Sequence, residues 1–141
     1  MVDSVDALFT VIRSGLVVSG NTSITVAKQL TSGDSMQSFR ISGAEHLIAL
    51  RQGRNETLGI TGGQWTEIAD HVEVDLFVHY SYANVSSVLT PLRRMMDDLK
   101  ITVASGSFTN PARPTLVAET MPQPHEKNAK GMQIWRFRYL L

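Results

Sequence analysis

The most regular alternation of hydrophobic and polar positions in the chain is His71–Ser81, HVEVDLFVHYS. From Val72 every second residue is apolar or aromatic: Val72, Val74, Leu76, Val78 and Tyr80. Between them stand His71, Glu73, Asp75, Phe77, His79 and Ser81. A period of two predicts a β-strand with one face on a core and the other in water. A helix with this pattern would spread its apolar groups round its whole circumference. At about 3.3 Å per residue the strand would span roughly 36 Å. Just upstream, Ile68 keeps to the apolar row and Asp70 breaks it. A strand this long needs neighbours to pair with and a layer to cover its Val72/Val74/Leu76/Val78 face.

Two stretches carry the other period. Over residues 4–16, Val5, Leu8, Phe9, Ile12 and Leu16 fall on one helical stripe. Asp3 or Ser4 can cap this helix, Asp6 suits its first turn, and Gly15 helps to end it. Over Asn84–Lys100, the stripe is Val85, Val88, Leu89, Leu92, Met95, Met96 and Leu99. Pro91 falls inside it and removes one backbone donor. Either the helix kinks there, or Thr90 caps a main helix with Pro91 at its first position. Asp97 and Asp98 would then sit in the last turn, against the dipole, with Arg94 placed to offset Asp98.

The remaining segments read as strands and connections. Val17-Val18 and Ile24/Val26 flank Ser-Gly-Asn-Thr, which suits a short hairpin within 17–35. Met36–Ser42 alternates, Gly43 interrupts it, and His46–Arg51 resumes an apolar run. Gln52–Gln64 is glycine-rich and reads as the long tip of a β-hairpin whose return strand starts at Trp65. Ile101–Thr115 reads as irregular and Leu116–Thr120 as a short strand. Met121–Gly131, polar with two prolines, reads as a surface turn or an unstructured arm. Gln133–Leu141 alternates again, with Trp135, Phe137, Tyr139 and Leu141 on one side, and should pair with Leu116–Thr120. The expected fold is one α+β domain over 1–141: an antiparallel-dominated, mixed sheet with both helices on one face, and a long β-hairpin with a Gly-rich loop.

Composition narrows the function classes. Lys plus Arg and Asp plus Glu number 13 each, so there is no basic excess of the kind a nucleic-acid binder shows. Zero net charge also does little to oppose self-association. No apolar run approaches the roughly 18 residues that span a bilayer, and MVDSVDALF, with two acids and no basic residue, predicts no secretory signal. With no cysteine there is no disulfide, thiolate ligand or cysteine nucleophile.

The best candidates for chemistry are His71, Glu73, Asp75 and His79 on the polar face of the long strand. Neighbours on that face lie about 7 Å apart, so sharing a metal needs favourable rotamers, and Phe77 interrupts the row. A solvated or subunit-facing strand surface is the simpler reading. His46 and His125 are isolated, and no hydrolase or phosphate-loop motif occurs. Arg136 and Arg138 can pair with Glu73 and Asp75 across strands or across an interface.

The order of a short amphipathic helix, FRISGAEHLIAL, a Gly-rich loop, WTEIADHVEVDLFVHY, the helix VSSVLTPLRRMMDDL and the closing strand MQIWRFRYLL resembles the tail-terminator proteins of long-tailed bacteriophages. The likeness is carried by Ser42-Gly43-Ala44-Glu45, the Trp65-to-Tyr80 strand and the aromatic last strand, and it covers most of residues 1–141. It lies in element order, length and patterning, and it departs from the family at residues 17–35 and at the prolines between 111 and 124. The resemblance implies a small protomer that closes into a hexameric ring on the completed tail tube, stops tube polymerisation and meets the head connector. It implies no cofactor and no catalysis. Other implications are assembly in the host cytoplasm, a place in the virion tail or neck, and a lumen that passes DNA without specific binding. Ring contacts are heterologous. The residues expected to make them are Arg51, Arg54, Glu56, His71, Glu73, Asp75, His79, Arg136 and Arg138. Two other readings stand beside this one: a neck or head-completion connector, and a small dimeric α+β ligand-binding protein or enzyme using His71, Glu73, Asp75 and His79.

Overall fold

A computed structural model describes residues 3–16, 24–28, 46–62, 64–79, 86–109, 111–125 and 128–140. The elements are α1 (Ser4–Gly15), β1 (Ile24–Lys28), β2 (His46–Thr61), β3 (Gln64–His79), α2 (Ser86–Ser105), β4 (Thr115–His125) and β5 (Asn128–Leu140). The strands form one sheet of order β1-β2-β3-β5-β4. β1 runs parallel to β2, and the other three pairings are antiparallel. Among the described residues no helix is long and apolar enough to cross a membrane.

Both helices lie on the same face of the sheet, as the α+β reading expects. The apolar row of β3, Val72 to Val78, meets Ile48 and Leu50 of β2 on one side and Trp135, Phe137 and Tyr139 of β5 on the other. Val5, Leu8 and Ile12 of α1 and Leu92, Met95, Met96, Leu99 and Val103 of α2 close over it. The Asp3 carboxylate caps α1 by accepting from the backbone N–H groups of Val5 and Asp6, at 2.8 and 3.3 Å. Several polar groups within this core find partners. Asp70, the residue that breaks the apolar row, accepts from the Gln52 and Asn55 side chains. Gln133 is fully buried. Its Nε2 donates to the Met96 carbonyl and to Glu119, each at 3.1 Å, and its Oε1 accepts from Trp135 Nε1 at 3.2 Å. Ser4 and Tyr139 share a buried hydroxyl–hydroxyl bond that ties α1 to β5.

Several expectations change. Gln52–Thr61 is strand rather than a long tip, paired with β3 as far as Thr61 opposite Gln64. Gly62 turns the corner with φ +60°, a conformation that only glycine adopts readily. The register slips once, between Gln52 and Asn55. At that bulge a side chain on Gly53 would come within 3.0 Å of the His71 carbonyl oxygen, so glycine fits the close approach. Residues 121–125 and 128–131 are also strand, the end of β4 and the start of β5. β4 lies at the sheet edge, where proline's missing N–H breaks no ladder bond, and Pro124 pairs with Ala129 of β5. β5 is not only the partner of Leu116–Thr120; it lies between β4 and β3. Of the 17–35 hairpin expected from the sequence, Ile24–Lys28 is a strand parallel to β2. Its Val17-Val18 arm, and the Met36–Ser42 strand, lie outside the described residues.

Helix α2 runs from Ser86 to Ser105, so Pro91 sits within it and Asp97 and Asp98 are in its interior, not its last turn. Thr102 and Val103 continue the buried stripe, which extends the helix past Lys100. The end is closed from outside by Arg113, whose Nε and Nη2 donate to the carbonyls of Val103 and Gly106 at 3.2 and 2.7 Å. Arg113→Leu should cost about 1–2 kcal/mol in urea unfolding, and Arg113→Lys should restore only part of it, since one ammonium cannot reproduce the fork.

Candidate functional site

The sheet face away from the helices carries the charged residues singled out from the sequence, and it is not a wet surface throughout. Leu47, Ala49 and Phe77 on this face are buried, and so is Asp75, with none of its surface exposed. An isolated carboxylate at that depth would be costly. Arg51 makes it tenable: β2 places it directly opposite Glu73, with Asp75 one diagonal step away. Its Nε donates to Glu73 at 2.7 Å and its Nη1 to Asp75. Lys130 of β5 approaches the other Asp75 oxygen at 3.8 Å and lies over the Phe77 ring, 5.5 Å from its centre. Burial and the nearby Arg51 charge push the Lys130 ammonium below the ordinary lysine value. This cluster joins β2, β3 and β5, and its charges are largely spent on one another.

The pairing of Arg136 and Arg138 differs from the expectation. The register sets Arg136 opposite His71 and Arg138 opposite Ala69, too far along β5 to meet Asp75, which stands opposite Met132. Arg138 instead grips Glu67 with Nε and Nη2, at 2.6 and 2.7 Å. That hydrogen bond holds the Glu67 carboxyl below its ordinary value of 4.5. Its stabilising effect is complete above the ordinary glutamate range and is lost as pH falls through the depressed value. Arg54 pairs with Glu56 along the same strand at 2.6 Å, and both are open to solvent. His71 donates its Nδ1–H to the Arg54 carbonyl at 2.8 Å, which pins the β2 bulge.

Of the four residues proposed for chemistry, His71, Glu73 and Asp75 follow one another on this face. Asp75 and Glu73 are held by Arg51, and His71 by the bulge. His79 closes β3, opposite Asn128. Among the described residues no group of three His, Asp or Glu is placed to hold a metal ion. Beside the cluster on this face lies a cleft of about 510 Å³, bordered by Arg54, His71 and Glu73 on one side and by Val117, Ile134 and Arg136 on the other. No periodicity marks Val117, which stands in the β4 register shift between Leu116 and Ala118 and is 40% exposed. A bulge is set by pairing and leaves no mark in the residue pattern.

Among the described residues the β2–β3 hairpin also extends past its last pairing with β5. β5 pairs with β3 only as far as Leu140 opposite Glu67. Beyond that point the two strands continue to Thr61 and Gln64 with, among the described residues, no third strand beside them. The overhang is about 10 Å long at 3.3 Å per residue. Neither a protein-family model nor a curated protein sequence matches the chain.

Proposed function

We propose that the protein is a structural subunit of a long-tailed bacteriophage, a tail terminator. Copies close into a ring, six by the family pattern, on the end of the tail tube. There they stop further addition of tube protein and offer a surface to the head connector. The subunit assembles in the host cytoplasm and ends in the virion. DNA crosses the lumen without being held, in keeping with a chain of zero net charge.

The observation that carries this reading is the overhanging hairpin. A two-stranded ribbon is marginal in water unless something covers it, and a neighbouring copy is the cover that a ring supplies through heterologous contact. The α+β protomer with both helices on one face agrees with the element order that suggested the family.

The test uses purified protein with and without isolated tail tubes, followed by native mass measurement and electron microscopy. Rings on tube ends are expected. A protein that stays monomeric and leaves tube ends bare would refute the reading, and rings that bind only the head connector would move it to a neck protein. A second arm removes Gly59–Thr66 and joins Leu58 to Glu67 through Asn-Gly. Since Leu58 and Glu67 already face each other, the protomer should keep its fold while losing assembly on the tube.

A further inference from the structure

We infer that the cleft between the two bulges is a receptor for a single carboxylate, an Asp or Glu side chain presented by another polypeptide next to an apolar residue. The inference concerns what the cleft recognises and does not depend on the ring.

The cleft lies on the helix-free face. It runs from the β2 bulge at Gly53-Arg54 to the β4 bulge at Val117, across β3 and β5. Three inter-strand steps make that about 14 Å, room for a short side chain and its neighbour. Its charges differ in how far they are already engaged. Glu73 is held by Arg51 at 2.7 Å, and Arg54 by Glu56 at 2.6 Å. Arg136 has no ion pair among the described residues, and its Nε–H is covered without a hydrogen-bond partner there. A guanidinium lining a cleft with donors unspent favours an oxyanion, and carboxylates match its planar fork.

The size of the charge decides which oxyanion. After the internal pairs are counted, the cleft offers about one positive charge, with the Glu73 carboxylate on its wall. A phosphate of nearly two negative charges would be opposed by Glu73, whereas a carboxylate of one charge is matched. The rim points the same way. Val117 is 40% exposed and Ile134 is half-buried beside it, so an apolar residue adjoining the acid has something to cover. A nucleic-acid strand would instead need several basic residues in a row, and this chain has no excess of them. Bidentate pairing in such a partly desolvated place is of the kind that dominates small interfaces.

The Nε–Hε resonance of Arg136 gives a direct readout in a 15N-labelled sample of the whole protein, assigned by its disappearance in Arg136→Lys. The probe is the capped peptide Leu-Glu-Leu, compared with Leu-Gln-Leu, inorganic phosphate and a short single-stranded oligonucleotide. A saturable shift is expected with Leu-Glu-Leu, at about tenfold lower concentration than with Leu-Gln-Leu. Arg136→Gln should abolish the difference between the peptides, while Arg93→Gln on the outer face of α2 should keep it. Equal response to both peptides would overturn the proposal. So would a saturable response to phosphate or oligonucleotide alone, the second of which would make the face a nucleic-acid surface. Should Arg136→Gln not fold, the comparison of the two peptides on the unaltered protein still decides the matter.

Discussion

Replacing Arg51 with methionine should lower stability by about 3–5 kcal/mol, enough to leave much of the protein unfolded at 37 °C. The reason is the company Arg51 keeps. It is the hydrogen-bonded counter-ion of a carboxylate, Asp75, that has no exposed surface, and it also holds Glu73. Methionine fills similar volume but leaves two acids side by side, with only Lys130 at 3.8 Å from Asp75 in attendance. Buried charges are costly to strand, whereas replacing the whole cluster with apolar groups is often close to neutral. The double variant Arg51→Met with Asp75→Leu should therefore recover most of the loss. Urea midpoints of the two single variants and the double variant, read as a double-mutant cycle, measure the coupling. A single variant within about 1 kcal/mol of the parent would mean that the pairing is not what makes Asp75 tolerable.

Phe137→Ala should cost a similar amount, about 3–5 kcal/mol, by a different route. Phe137 is fully buried near the end of β5, where α1 and α2 meet the sheet, and its ring meets Phe108 edge-on at 6.0 Å between centres. Truncation removes the transfer energy of the ring and leaves a cavity that β3, paired beside it, and the helices packed over it cannot close. The urea midpoint should fall with the slope unchanged, since the surface exposed on unfolding hardly alters. Phe137→Leu should recover more than half of the loss. A fall of less than about 1.5 kcal/mol in the alanine variant would show that the site collapses readily.

What the sequence made legible follows from how local each signal is. The two periods identified β3, β5, α1 and most of α2 because burial on one face writes itself into consecutive residues. The Asp70 interruption was equally visible, but its explanation was not, since the Gln52 and Asn55 side chains that satisfy it reach it only through the hairpin register. The same limit hides the Arg51–Asp75 pair: alternation alone predicts a wet polar row, and only the register shows that a cation from the next strand makes it fit to bury. Composition misled in three places. Glycines in Gln52–Thr61 suggested a loop, yet antiparallel pairing with β3 carries them as strand. Prolines at 122 and 124 suggested an arm, yet they stand on an edge that can accept them. Ser-Gly-Ser and Asn-Pro-Ala-Arg-Pro suggested that Ile101–Thr115 is irregular, yet α2 runs on to Ser105 because Val103 falls on its buried stripe. The cleft was the least legible feature, because both of its walls are bulges.

The strand order has a consequence for synthesis. β5 is the last of the described elements to be made, and it fills the slot between β3 and β4. A nascent chain has therefore released the whole of α2 and β4 before the inner edge of β3 can be sealed. At roughly 5–20 residues per second the gap lasts several seconds. Through that interval β3 offers an open backbone edge, which is the circumstance in which chains cross-pair. Yield in the cell should then depend on how quickly translation clears the segment from α2 to β5, and slow codons there should be tolerated less well than slow codons before β2.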